Sequence, residues 1–137
     1  MTLALDTNVF IDLIRGKRPN VRQRYKGAVL DGDVMVTSLI VFHELRFGAI
    51  ASRNQAAEEK VVKTVLQGIA VEPLTEDDVA VAAAIRARLK VTGDPIGPYD
   101  VLIAGQAMAR GWTLVTSNVR EFERVGGLDV QDWNEAL

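Results

Sequence analysis

Short unbroken apolar runs alternate along this chain with stretches in which apolar residues return every three or four positions, the pattern of strands followed by helices. Residues 3–5 form the first run and end at Asp6, after which Val9, Phe10, Leu13 and Ile14 fall at helical spacing. A second helix is expected over 21–30, stopped by the Asp31-Gly32-Asp33 turn, and 34–36 reads as a buried strand. Ser38 is placed to cap a helix over 39–51; another over 55–66 stops at Gly68, and 69–71 gives a third strand. Thr75, with Asp78 three residues on, resembles a capping box with aspartate in the glutamate role, and Val79, Ala82, Ile85, Arg86 and Leu89 follow at the helical period. Residues 93–98 form a rigid loop, 99–110 a helix closed by Gly111, and 114–116 a fourth strand ending in Ser117-Asn118. A helical turn at 120–122, a Gly126-Gly127 turn and a short strand around 128–130 follow. Strands alternating with helices predict an α/β domain with a mostly parallel sheet. Without a repeat or linker, residues 1–137 are expected to form one domain.

Composition narrows the chemistry. The chain has no cysteine and a single histidine, His43, so thiolate ligands, thiol nucleophiles and a histidine-built zinc site are excluded, and any bound metal must be held by oxygen. The apolar runs fall far short of the roughly 20 residues a membrane span needs, and no basic-then-apolar leader opens the chain, so a cytoplasmic location is expected. The formal net charge of -2 hides an uneven distribution: Arg15, Lys17, Arg18, Arg22, Arg24 and Lys26 follow one another with no acid among them. Such a run is either a solvated helix face or a phosphate-steering edge beside an acidic site, with Arg15, Lys17, Arg18 and Arg22 as its phosphate-contacting members.

In parallel sheets, ligands bind beyond the carboxyl ends of the strands. Asp6 ends the first strand, Asn118 follows the fourth, Asp100 stands in the first turn of a helix, and Glu44 lies about two turns into the helix after the second strand. Asp6 and Asp100 each also suit a helix start, and Glu44 a surface. Leu39, Ile40, Val41, Phe42, Leu45 and Phe47 make the Glu44 helix apolar nearly all round, where a carboxylate is costly unless paired or metal-bound. Three carboxylates at one rim would raise one another's pKa unless a cation is present, and the donor set suits Mg2+ or Mn2+. Such a site supports phosphodiester hydrolysis. A serine-histidine-acid triad would need His43, which points about 100° away from Glu44 on the same helix.

The stretch Leu-Asp-Thr-Asn-Val-Phe-Ile-Asp at 5–12, His-Glu-Leu-Arg-Phe-Gly at 43–48, Pro-Ile-Gly-Pro-Tyr-Asp-Val-Leu-Ile-Ala at 95–104 and Leu-Val-Thr-Ser-Asn at 114–118, with Glu121-Phe122 and Asp132-Trp133, resemble in order the motifs of PIN-domain toxins, the VapC-like ribonucleases of toxin–antitoxin pairs. The resemblance implies a three-layer α/β/α fold. It implies Asp6, Glu44 and Asp100 as catalytic metal ligands for one or two ions per subunit, supported locally by Thr7, Asn8, Thr116 and Ser117. Many family members carry a fourth acid after the last core strand; Ser117 and Asn118 stand there instead, so Asn118 and Glu121 are candidates for a second metal or for positioning water. It further implies an RNA substrate, a homodimer, and a small VapB-like antitoxin across the active-site groove, assembling a hetero-oligomer; Phe42, Phe47 and the helix carrying Val9 to Ile14 are candidates to line that groove, or to be plain core. Two other readings stay open: a non-catalytic PIN-like module binding RNA or protein, and a nuclease directed at DNA.

Overall fold

The computed structural model describes residues 1–135; the last two residues of the expected 1–137 domain, Ala136 and Leu137, lie outside the described residues. In chain order the elements are β1 (Thr2–Leu5), α1 (Thr7–Arg15), α2 (Pro19–Leu30), β2 (Val34–Ser38), α3 (Leu39–Ile50), α4 (Gln55–Val65), β3 (Ala70–Glu72), α5 (Glu76–Thr92), α6 (Pro98–Arg110), β4 (Thr113–Val115), α7 (Val119–Glu123) and β5 (Val130–Gln131). The five strands make one sheet, ordered β3-β2-β1-β4-β5 and parallel at every pairing. β1 is central, and its Leu3, Ala4 and Leu5 are buried along with Leu114 and Val115 of β4.

The strand order reverses at β1. The chain winds outward through β2 and β3 on one side, then crosses to place β4 on the other, which makes the β1/β4 crevice the topological switch point where ligands of such sheets bind. Asp6 and Thr116 immediately follow these two strands.

Local boundaries differ from the apolar pattern for identifiable reasons. Helix α2 begins at Pro19 rather than 21, since proline at the first helical position gives up only a donor that has no partner there anyway. Ile69 still belongs to the exit turn of α4, its N–H bonding Leu66 O at 3.1 Å, so β3 starts one residue later than the apolar run. β5 is also later, at Val130–Gln131, because Gly126 and Gly127 both adopt positive φ and Leu128 is still leaving that turn. β4 starts earlier, at Thr113, and Thr116 turns its hydroxyl to Asp6. The capping box forms as expected, with Thr75 and Asp78 satisfying each other's N–H groups.

Helices α5 and α6 pack against each other over most of their length. Gly105 permits their approach: a Cβ there would lie 2.5 Å from the Cβ of Ala82 and 2.6 Å from its Cα. Arg110, at the end of α6, reaches the start of α5, donating to Asp78 Oδ2 at 2.8 Å and to Pro73 O at 2.8 Å. Among the described residues no helix is long and apolar enough to cross a membrane.

Candidate active site

Asp6 is the most buried of the candidate site acids. It is 5% exposed, and it caps α1 by accepting the Thr7 N–H on Oδ1 at 2.8 Å. Its Oδ2 accepts the Thr116 hydroxyl at 2.8 Å and the Asn8 amide at 3.3 Å, so the switch point is bridged by a hydrogen bond between the ends of β1 and β4. Burial pushes its pKa up; the Thr116, Thr7 and Asn8 donors pull against that rise, and the nearby Glu121 carboxylate adds to it. With Oδ2 twice occupied and Oδ1 once, a lone pair on Oδ1 stays free for a further partner.

Asn8 ties the loop after β4 to the same point. Its amide also donates to Thr116 Oγ1 at 3.3 Å, and its oxygen accepts the Ser117 N–H at 3.1 Å. Thr116 Oγ1 in turn accepts the Asn118 N–H at 3.0 Å. The Ser117 contribution to this network is thus its backbone N–H.

Glu44 is half-buried on α3, its pKa raised first by burial and then by Asp6; Thr7 and His43 oppose the rise. The Thr7 hydroxyl is itself buried without a well-formed hydrogen bond, a polar atom beside the acids still able to accept a partner. The apolar surround expected for Glu44 is only partly present. Val41, Leu45 and Ala49 are buried, but Leu39, Phe47 and Ile50 of α3 are exposed, Phe47 by 67%. Burial at Glu44 therefore comes from the rim it faces rather than from an encircling core.

Asp100 sits in the first turn of α6, where the helix dipole favours a charged carboxylate. Its pKa is nonetheless raised to about 7, first by burial and then by Glu121, Asp6 and Glu44. Burial and the neighbouring acids together outweigh any help from the dipole. Glu121 is the partner held ionised: burial would raise its pKa, but the Gly97 N–H at 2.7 Å, Asp100 and the Asn118 amide lower it. A Cβ at Gly97 would make only ordinary contact, 3.6 Å from both Asp100 Oδ2 and Glu121 Oε1, so the position contributes its backbone N–H rather than an absent side chain.

Asp6, Glu44, Asp100 and Glu121 thus influence one another at one rim, and Asn118 reaches it through Glu121. All donors are oxygen, three of the four carboxylates are raised in pKa, and this is a set that a hard divalent cation relieves. Among the described residues, no three Asp, Glu, His or Cys side chains stand close enough together to hold a metal ion as placed.

The basic run divides. Arg22 donates to Leu13 O at 3.0 Å, with its guanidinium against Gly16, and so closes the end of α1. Arg18 pairs with Asp12 at 3.5 Å. Lys17 is exposed, and Arg15 lines, with Thr7, Glu44 and Glu58, a groove of about 210 Å³ between α1, α3 and α4. Two neighbouring depressions continue along α4: one of about 390 Å³ with Leu13, Ile14, Val61 and Val65, and one of about 620 Å³ with Phe42, Val62 and Leu66. Phe47 lines neither, and Val9 and Phe10 are core. The Gly97 N–H had no signal in the sequence that set it apart from an ordinary loop donor, and Thr7 was marked only by the motif resemblance, as local support.

Comparison with known proteins gives the family and the fold. The sequence profile described as the PIN domain matches residues 3–128. The chain is 38% identical over 130 residues to the tRNA(fMet)-specific endonuclease VapC of Shigella flexneri, covering 95% of this chain and 96% of that protein. It superposes on a chain of VapBC2 from Rickettsia felis, solved bound to a promoter DNA fragment, with TM-score 0.90 and 25% identity over 97% of this chain and 99% of that one. DNA-bound VapBC from Salmonella typhimurium gives TM-score 0.89 and 35% identity, covering 97% of this chain and 98% of that one.

Proposed function

The chain belongs to the PIN-domain family, and on that premise we propose that it is the toxin of a toxin–antitoxin pair: an Mg2+- or Mn2+-dependent endoribonuclease of the cytoplasm that hydrolyses RNA and so inhibits translation and growth. The observation that carries this reading is the gathering of Asp6, Glu44, Asp100 and Glu121 at the β1/β4 switch point, with pKa values raised on the first three.

Asp6, Glu44 and Asp100 would hold one or two divalent ions. The chemistry such an ion supplies, when bound, is positive charge toward the phosphodiester and a lowered pKa for the attacking water. Thr116 and Asn8 keep the Asp6 carboxylate from rotating, and Thr7 and Ser117 fix the loops that carry it. Asp100, its pKa raised to about 7 by burial and the neighbouring acids, keeps a proton against Glu121 near neutrality. Glu121, anchored by Gly97 and Asn118, orients water for in-line attack, leaving a 5′-phosphate and a 3′-hydroxyl. Arg15 and Lys17 steer the polyanion past the acids.

The relatives solved as VapBC complexes support a small VapB-like antitoxin for this chain, with an amphipathic segment lying along the α4 depressions and ending in the Glu44 groove. Assembly as a homodimer within a toxin–antitoxin hetero-oligomer belongs to the same proposal. The second reading, a non-catalytic PIN-like module that binds RNA or protein, draws on Ser117 and Asn118 standing where a fourth acid is expected and on no three acids standing together as a metal-holding group among the described residues.

Oligonucleotides of matched RNA and DNA sequence, incubated with the protein in Mg2+, Mn2+ or excess chelator, separate these readings. Cleavage of RNA alone that disappears with chelator is expected. Magnesium-independent binding without turnover would favour the binding module, and equal cleavage of DNA a nuclease that does not read the 2′-hydroxyl.

A further inference from the structure

Two aromatic rings flank the acids and take no part in the chemistry above. His43 on α3 and Tyr99 on α6 meet edge to face, with ring centroids 5.6 Å apart and planes at 67°. Neither belongs to the hydrophobic core or to the side chains packed against it, and Tyr99 is 48% exposed. Each directly precedes a site carboxylate, His43 before Glu44 and Tyr99 before Asp100. Consecutive helical residues point about 100° apart, so the rings stand beside the acids rather than among them. Two helices that approach from different parts of the chain therefore build one aromatic corner at the edge of the acidic rim.

A polyanion meets repulsion at such a rim, and contacts that require no charge become the means of holding it. Unpaired bases are held by stacking on Tyr and His rings, which works for any base because each offers a π-face. We propose that His43 and Tyr99 form a stacking corner for an unpaired nucleobase next to the scissile phosphate, which makes them specificity-determining residues for a single-stranded RNA segment. The proposal rests on the ribonuclease reading and adds the form of substrate that reading leaves open.

The test uses a short single-stranded oligoribonucleotide carrying fluorescent 2-aminopurine at each position in turn, bound to the full chain in chelator so that nothing is cut. Stacking quenches the probe at one position or two adjacent ones. Tyr99→Ala and His43→Ala are expected to abolish that quench and weaken binding roughly 5- to 150-fold, the range for removing one stacked base, while Tyr99→Phe and His43→Phe retain it. Quench and affinity unchanged in both alanine variants would overturn the proposal. So would a change of oligomeric mass in either variant by sedimentation, since Leu39 and Phe47 lie one turn to either side of His43 and the pair would then be a contact between copies of the chain. Cleavage of the same oligonucleotide by the unaltered protein in Mg2+ is measured alongside: quench without cleavage would contradict the ribonuclease reading while leaving the corner intact.

Discussion

At the scale of residues, function turns on how Asp6 and Asp100 are held. Replacing Thr116 by Val removes the 2.8 Å bond to Asp6 Oδ2 and leaves the carboxylate freer to rotate; RNA cleavage is expected to fall about 10- to 100-fold, the usual cost of losing an outer partner of a metal ligand. Asp6→Asn removes the ligand itself and is expected to cost more than that, both read as kcat/KM on one RNA. Asp100 carries an opposite consequence for stability. Its folded pKa, about 7, lies above the ordinary carboxylate value, so the folded protein binds this proton more tightly than the unfolded chain. Stability without metal is therefore greatest at low pH in this respect and falls as pH rises from about 4 through 7. Asp100→Asn, lacking the charge, is expected to raise the melting temperature in chelator at pH 8 and to leave it nearly unchanged at pH 4; a lower melting temperature at pH 8 would contradict the repulsion described. The sequence made Asp6 and Asp100 legible because a strand end and a helix start are places a carboxylate is noticed. It could not show that Arg22 closes α1, since that depends on a guanidinium folding back over Gly16.

At the scale of elements, the position of Asp100 is inherited from α6, and α6 is fixed by α5. Alanine is about 1 kcal/mol better than glycine in a helix, yet Gly105→Ala places a Cβ 2.6 Å from the backbone of Ala82. The overlap wins, and a loss of about 1–3 kcal/mol is expected by chemical denaturation, with reduced activity because α6 must shift. The far end of the same pair is joined by Arg110 and Asp78, the latter 1% exposed. The Arg110 hydrogen bond holds the Asp78 carboxyl below its usual pKa against the opposing effect of burial, helped by Thr75. A depressed folded pKa gives stability that is present above about pH 4 and is lost as pH falls through the folded value. Arg110→Ala is expected to cost about 2–3 kcal/mol at pH 7 and to flatten the acid limb of the stability curve. The capping box that starts α5 was readable from two residues three apart. The closeness of α5 and α6 was not, because Gly105 reads locally as a weak spot in a helix and its reason lies in a residue 23 positions away.

At the scale of the whole molecule, the alternation of apolar runs fixes the fold class, whereas the order β3-β2-β1-β4-β5 emerges only from the packing. That order brings residues 6, 44, 100 and 121 together, and no local pattern states which strand lies beside β1. The motif resemblance carried the site across that gap. The field around it gives a further prediction: Arg15→Glu with Lys17→Glu is expected to weaken RNA binding without altering the fold, and to shallow the dependence of log affinity on log salt by about 0.7 for each phosphate no longer neutralised. An unchanged slope would remove these residues from the RNA path. The most direct test of the central claim is cleavage of end-labelled total cellular RNA by the purified, antitoxin-free protein, in Mg2+ and in excess chelator, with Asp100→Asn in parallel. A metal-dependent ribonuclease built on these acids gives discrete products in Mg2+ that vanish in chelator and in the variant. Intact RNA in every lane with folded protein, or products that persist in Asp100→Asn, would contradict it.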